Sequence, residues 1–267
     1  MYLFCWVVFF ELARVFFIFS TLSYARETPA SLIAQSLWYG LRMDISMAGY
    51  ITVPVCFFII CSLFFPLFKR KGIYFFYTGL VFFLQLFLIG VDAEVYKAWG
   101  TRIDSTPIKY LSSPAEMWAS ISHFPLLLVL LIFISVYIIL FWIFRKIITR
   151  LIILIQNNQR RLVQALLVLL FTGALIIPIR GGMQLSPLNQ SSVYFCNQQY
   201  ANIAAINASW NFMYAVSLMN QMDETAYQYL PEAEANTIVD SLFAENGSRS
   251  KANFAFNRGS WTANDYK

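Results

Sequence analysis

An all-α fold that lives in the membrane, with five crossing helices, is predicted by three observations. Hydrophobic residues make up 59% of the 267-residue chain and charged ones 12%, about half the charged share of a soluble domain. Five stretches, residues 1–20, 46–68, 73–91, 125–144 and 162–179, come close to or exceed the length needed. A helix requires about 20 apolar residues to cross a hydrocarbon core of about 30 Å. Residues 126–144 (LLLVLLIFISVYIILFWIF) show none of the period-two alternation of a lipid-facing strand.

The connectors orient the spans. Lys69, Arg70 and Lys71 follow the second stretch, and Arg145, Lys146, Arg150, Arg160 and Arg161 follow the fourth, with no Asp or Glu in either connector. The positive-inside rule places both in the cytoplasm, together with the amino terminus. Everything after about residue 180 is then expected outside, as in a protein of a bacterial inner (cytoplasmic) membrane. The net charge of +5 sits mostly in these connectors, where it meets anionic headgroups. No nucleic-acid partner is expected.

Taken in order, the first stretch reads as a retained signal-anchor helix. It has no basic n-region and no small-residue cleavage site follows it, and it carries Glu11 and Arg14. The second contains Pro54 and ends near Pro66, which a membrane helix tolerates when neighbours recover the freed carbonyl. After the third comes a polar run, residues 92–110. Ser113-Pro114-Ala115-Glu116 has the form of a helix start: a Ser cap, Pro at the first helical position and Glu three residues on. His123, the single histidine, leads into the fourth stretch as an ordinary hydrogen-bonded residue. The fifth ends at Arg180-Gly181-Gly182, where two glycines release the backbone to turn.

Three segments, 29–45, 113–122 and 199–219, have the amphipathic pattern of helices lying in the headgroup plane. Tyr50, Tyr96, Trp99, Tyr110, Trp118, Tyr194, Tyr200, Trp210 and Tyr214 fall in the same outer half, where amphipathic rings gather. The organisation is thus a five-helix membrane domain over residues 1–182, interfacial and linker helices over 183–247, and an irregular tail over 248–267. One short helix is expected over 231–243. Cys5, Cys56 and Cys61 lie in spans and Cys196 stands alone outside, so there is neither a disulfide framework nor a metal set.

Ionisable residues inside spans are costly and mark function by default. Glu11 and Arg14 stand three residues apart and are expected to neutralise each other, to cap a helix–helix contact, or to anchor a headgroup or partner helix. Arg42, Arg102 and Arg180 all fall near the outer surface, and arginine grips phosphate oxygens in a two-pronged way that lysine cannot match. With Asp44, Trp99 and Asp104 around them, they are candidates for holding a phospholipid headgroup. Asn189 and Ser191 offer neutral groups suited to a glycerol or sugar hydroxyl, and Asn207, Trp210 and Asn211 complete the candidate set. No Gly-rich phosphate loop, Gly-x-Ser-x-Gly, His-Glu-x-x-His or Cys-x-x-Cys occurs. No catalytic residue and no metal ligand is assigned.

Residues 39–50 (YGLRMDISMAGY), 92–104 (DAEVYKAWGTRID), 180–182 with 187–195 (PLNQSSVYF), and 201–212 (ANIAAINASWNF) together bring a family into view. Over about residues 1–247 the chain resembles the membrane region of lipoteichoic acid synthase-like phosphoglycerol transferases, in the alkaline phosphatase/sulfatase superfamily, in its Bacteroides-type form. Ile203 stands where relatives often carry His. The resemblance implies five spans followed by an extracytoplasmic α/β domain. That domain would transfer phosphoglycerol from a phospholipid through a Thr nucleophile at a divalent metal, manganese or zinc. Residues 250–267 (SKANFAFNRGSWTANDYK) lack the strand that opens such a domain, and Gly259 stands where its Glu is expected. The expectation is a truncated or frameshifted product, inactive alone, needing no cofactor of its own. Its partners are membrane lipids, phosphatidylglycerol or phosphatidylethanolamine. A phosphoethanolamine transferase of similar plan and a small transporter or channel are the alternatives.

Overall fold

The computed structural model describes residues 1–110, 118, 126–156, 160–219 and 230–245. Among them every regular element is helical, and five helices are long and apolar enough to cross a membrane. The protein is an all-α membrane protein. The expected segment 113–122 (Trp118 apart), the Ser113 helix start, His123 and the tail 248–267 lie outside the described residues. Two compact units divide the chain, residues 1–219 and 220–267.

In the first unit, α1 (Tyr2–Ser20) has no Gly or Pro to interrupt it. Its Tyr2, Trp6, Phe9, Phe10 and Phe17 turn inward, while Phe4, Val8, Leu12, Phe16 and Phe19 recur on the exposed face. That recurrence is the three-to-four-residue period of one helical stripe. A short α2 (Leu22–Arg26) leads to α3 (Ala30–Phe64). The latter fuses the expected interfacial segment 29–45 with the second span. At 35 residues and 1.5 Å per residue it is about 52 Å long, well beyond the hydrocarbon core. No helix breaker separates the two parts, and Arg42 and Asp44 find partners within the protein, so nothing turns the segment into the headgroup plane. The helix also runs through Pro54, and Tyr77 donates to the nearby Ile51 carbonyl at 2.8 Å, a contact from a neighbouring helix in the turn that the proline loosens.

Pro66–Lys69 forms one 3₁₀ turn before α4 (Lys71–Trp99), which extends past the expected end at 91 and closes at Gly100. Thr106–Tyr110 makes α5. The fourth span, α6 (Leu126–Gln156), continues twelve residues beyond its expected end at 144. Arg145 and Lys146 are good helix formers, and their stems lie along the bundle. Lys146 Nζ sits 3.3 Å from the centre of the Trp142 ring, and the Arg145 guanidinium 5.4 Å from that of Phe75. The fifth stretch is two pieces, α7 (Arg161–Ala174) and α8 (Ile176–Arg180). Pro178 has no N–H to offer the Ala174 carbonyl, and the break falls there.

The expected single helix over 199–219 is also two, α9 (Gln199–Ala205) and α10 (Ala208–Leu218). Between them Ile206 is extended, and the Asn207 side chain accepts from the Trp210 N–H at 2.9 Å to cap α10. The second unit contains α11 (Glu232–Glu245), matching the helix expected at 231–243.

The long helices of the first unit alternate in direction. Tyr2 meets Thr78, Gly79 meets Tyr137 and Phe141, and Gly49 meets Ile179. The basic connectors therefore gather at one end of the bundle. The end of α1, the start of α3, the end of α4 and Arg180 gather at the other. Helix α3 is central, with half of its most apolar window buried against 6% for that of α6; α6 presents its apolar residues to lipid. In the basic half the core is aromatic, with Trp6 ring to ring with Phe9, Phe82 and Phe144 at 5.1–5.5 Å. Such contacts matter because lipid is as apolar as these side chains, so close packing rather than escape from water joins the helices.

Candidate functional site

The end of the bundle away from the basic connectors holds a buried charge network. Arg14 of α1 is 3% exposed and Asp44 of α3 is fully buried. Arg14 Nη2 donates to Asp44 Oδ2 at 2.5 Å. Glu11 lies 3.8 Å from Arg14 Nε, so the ion pair expected within α1 is present, and the shorter bond to Asp44 adds a link between helices. Arg14 also donates to the Ala204 carbonyl at 3.0 Å and to that of Ala205. These are end carbonyls of α9, which favour a cation. The other Asp44 oxygen accepts from Asn207 Nδ2 at 2.7 Å. A Cβ at Gly40 would collide with the Arg14 guanidinium, so glycine leaves the space in which that guanidinium reaches Asp44.

A second pair stands beside the first. Asp92 near the end of α4 lies 3.3 Å from Arg102 Nη1 and accepts from the Ile103 N–H at 2.9 Å. Arg102 Nη2 donates to the Ile206 carbonyl at 2.7 Å, and its guanidinium sits 3.9 Å over the Phe17 ring. Burial pushes Arg102 below the ordinary arginine range, and the Asp92 carboxylate opposes the shift. Asn211 donates to the Ile103 carbonyl at 2.8 Å and accepts from Gln190 Nε2 at 2.5 Å. Two cations, two carboxylates and three amides thus join α1, α3, α4, α9, α10 and the turn 190–193. Breaking such a pair strands a charge, which is why its members come as a set.

Between the pairs lies a cavity of about 20 Å³ lined by Arg14, Asp44, Asp92, Arg102, Asn207 and Ser209. Arg14 Nε, Arg102 Nε and Ser209 Oγ have no hydrogen-bond partner among the described residues. The space suits about one water molecule and is too small for a phosphate group. A headgroup would have to meet side chains nearer the surface.

The remaining candidates sit around this network in distinct ways. Arg42 is half-buried and clasps backbone, donating to the Gly181 carbonyl through Nε at 3.0 Å and Nη2 at 2.5 Å, and to Ser192 at 3.4 Å. Arg180 is exposed and donates to the Leu185 carbonyl at 3.1 Å. Asn189 accepts from the Ser192 N–H at 3.1 Å and from the exposed Ser191 hydroxyl at 2.7 Å. Asp104 is exposed and accepts from the Thr106 N–H at 2.8 Å, at the start of α5. Trp99 is about half exposed at the end of α4. Trp210 is buried and stacks on Tyr214 at 5.1 Å. The structure brings Arg14, Asp44, Arg102, Asn207 and Asn211 into one network, and leaves Arg180, Trp99, Asp104 and Ser191 at its surface.

Two expectations are corrected here. Segment 199–219, expected to lie in the headgroup plane, has Asn202, Asn207 and Asn211 buried. Each satisfies backbone or charge inside the protein; Asn202, for example, accepts from the Phe195 N–H at 2.9 Å. Of the rings expected at the membrane surface, Tyr96, Tyr200 and Trp210 are buried, whereas Tyr50, Trp99, Trp118 and Tyr194 are exposed. Thr21 and Tyr200 share a hydroxyl hydrogen bond at 2.7 Å. Sequence reasoning missed Asp92, which reads as solvated loop charge, and Gly40. The signal for Asp92 was its place directly after an apolar span, with Arg102 ten residues on.

No group of three or more His, Cys, Asp or Glu side chains among the described residues is arranged to hold a metal ion. Comparison with known proteins finds no match to the chain: no family model, no curated protein and no solved structure.

Proposed function

We infer that this protein is the membrane-anchoring, lipid-presenting part of a sulfatase-superfamily phosphoglycerol transferase, working on phospholipid headgroups at the outer leaflet. The observation that carries the reading is convergence. The four strings that resemble the family are far apart in sequence, yet each supplies a member of one assembly. Asp44 comes from the first, Asp92 and Arg102 from the second, Gln190 from the third, and Asn207 and Asn211 from the fourth. Arg42 of the first string clasps Gly181 and Ser192 of the third. In this reading the buried charges form a rigid floor. The exposed Arg180, with Trp99 and Ser191, meets the headgroup above it, and the basic connectors hold the opposite end in the cytoplasm. The transfer step belongs to a catalytic domain with its own metal, and the residues described here present the donor lipid to it.

Native mass spectrometry of protein released from nanodiscs that contain phosphatidylcholine and phosphatidylglycerol tests the reading. Phosphatidylglycerol should be retained preferentially, and Arg180→Gln should reduce that retention several-fold. Equal retention of the two lipids would refute lipid presentation. Preference for phosphatidylethanolamine over phosphatidylglycerol would move the assignment to a phosphoethanolamine transferase. Release of glycerol phosphate by the purified protein with added manganese would show that the chain is itself the catalyst. A reporter fused near residue 221 should lie on the periplasmic (extracytoplasmic) side of the membrane, and a cytoplasmic reporter would remove the outer-leaflet assignment.

A further inference from the structure

The loop after the fifth span exposes two large apolar side chains more completely than nearly any other part of the molecule. Leu185 is 98% exposed and Met183 88%. The backbone commits them to that position. Gly181 and Gly182 have φ of 88° and 119°, a region that side chains other than glycine avoid, so the chain turns sharply as α8 ends. It returns at once, because the Leu188 N–H donates to the Arg180 carbonyl at 2.9 Å. Leu188 itself is buried against Gly181. The excursion therefore spans residues 181–187, and an out-and-back path of seven residues reaches at most about 12 Å. Its tip is held closer still, since Arg180 Nη2 donates to the Leu185 carbonyl at 3.1 Å. Arg180 is also the last residue of the membrane-spanning segment. Leu185 therefore sits beside a membrane boundary, and no residue from 181 to 195 carries a charge.

The geometry points to residues 181–187 as a membrane-dipping loop, with Met183 and Leu185 inserted into the interfacial layer of the bilayer that α7 and α8 cross. The occupant is phospholipid, reached by continuity with the lipid-facing surface of the fifth span. The interfacial layers add about 10–15 Å in total to the hydrocarbon thickness, about 5–8 Å on each side, and the Arg180 bond to the Leu185 carbonyl holds the tip near that depth, short of its full reach. Arg180 then has two roles that fit this depth: it fixes the loop through the Leu185 carbonyl and keeps its charge at headgroup level. The inference rests on the five-span fold alone and holds whatever headgroup chemistry the protein serves.

Photo-crosslinking of the full chain in liposomes of phosphatidylethanolamine and phosphatidylglycerol tests it. p-Benzoylphenylalanine is placed singly at Met183, at Leu185 and, as a lipid-facing reference, at Leu131 on the exposed side of α6. All three side chains are exposed, so the substitutions should leave the thermal midpoint unchanged, which the same samples verify. After irradiation, intact mass should show a one-phospholipid adduct at positions 183 and 185 with a yield within threefold of that at Leu131. A yield more than threefold lower would place the loop in water and overturn the inference. A principal adduct with a second copy of the chain would overturn it equally, by showing protein rather than lipid over the loop.

Discussion

The two halves of the bundle are held together by different physics. Around Trp6, Phe9, Phe82 and Phe144 the contacts are rings against rings, with no fixed partner for any one atom. Around Arg14, Asp44, Asp92 and Arg102 nearly every contact is a directed bond with a named donor and acceptor. An aromatic core in lipid can lose one member and settle. A charge network out of water cannot, because each lost partner leaves an ion with nothing to answer it. The charged half should therefore be brittle and the aromatic half tolerant.

The largest expected break is Asp44→Ala, which strands the Arg14 guanidinium beside an empty site. It should lower stability by about 3–5 kcal/mol, the usual cost of breaking a buried pair, read as loss of monodisperse protein or a large fall in thermal midpoint. Trp6→Ala in the aromatic half should cost less, about 2 kcal/mol. In water such a truncation costs about 3–5 kcal/mol, but in lipid the part due to transfer from water disappears and only lost packing remains. If Trp6→Ala proves the more damaging of the two, the comparison fails. Gly181→Ala would force a side chain into φ of 88° and against Leu188, for about 1–2 kcal/mol. Leu131→Ala on the lipid face of α6 should change the midpoint by less than about 0.5 kcal/mol, as surface changes do, and so sets the baseline for the others.

Much of the fold was legible because it depends on length and composition. Residues 126–144 announce a membrane helix by apolarity alone, and the helix ends at Ser20, Lys71 and Arg180 fall within two residues of their expected positions. The boundaries that slipped did so for one reason: a helix continues wherever its backbone bonds continue, and hydropathy does not see that. Thus α3 begins at Ala30 rather than at 46, and α6 runs on through Arg145 and Arg150. The break at Ala174, by contrast, was written in Pro178, four residues later.

The candidate site was legible in membership more than in arrangement. Arg14, Asp44, Arg102, Asn207 and Asn211 stand out as residue types in unusual places, but a single sequence does not say that they meet. Glu11 is legible as a partner of Arg14 because it is three residues away, and it pairs with it at 3.8 Å, but the acid that hydrogen-bonds Arg14 is thirty residues away on α3. The asparagines of 199–212 share no single helix face in sequence, and the extended Ile206 divides the segment into two helices on which all three are buried. Pairings of this kind come from tertiary packing, which periodicity along one helix does not encode.

The account stands most directly on the coupling between Arg14 and Asp44. Thermal unfolding in nanodiscs of Arg14→Met, Asp44→Leu and the double variant gives that coupling as a double-mutant cycle. Each single change should be severely destabilising, and the double variant, with both charges gone, should recover most of the loss, for a coupling on the order of 3 kcal/mol. Additive losses, with the double variant as unstable as the two single ones combined, would show that the buried pair does not hold this half of the molecule together.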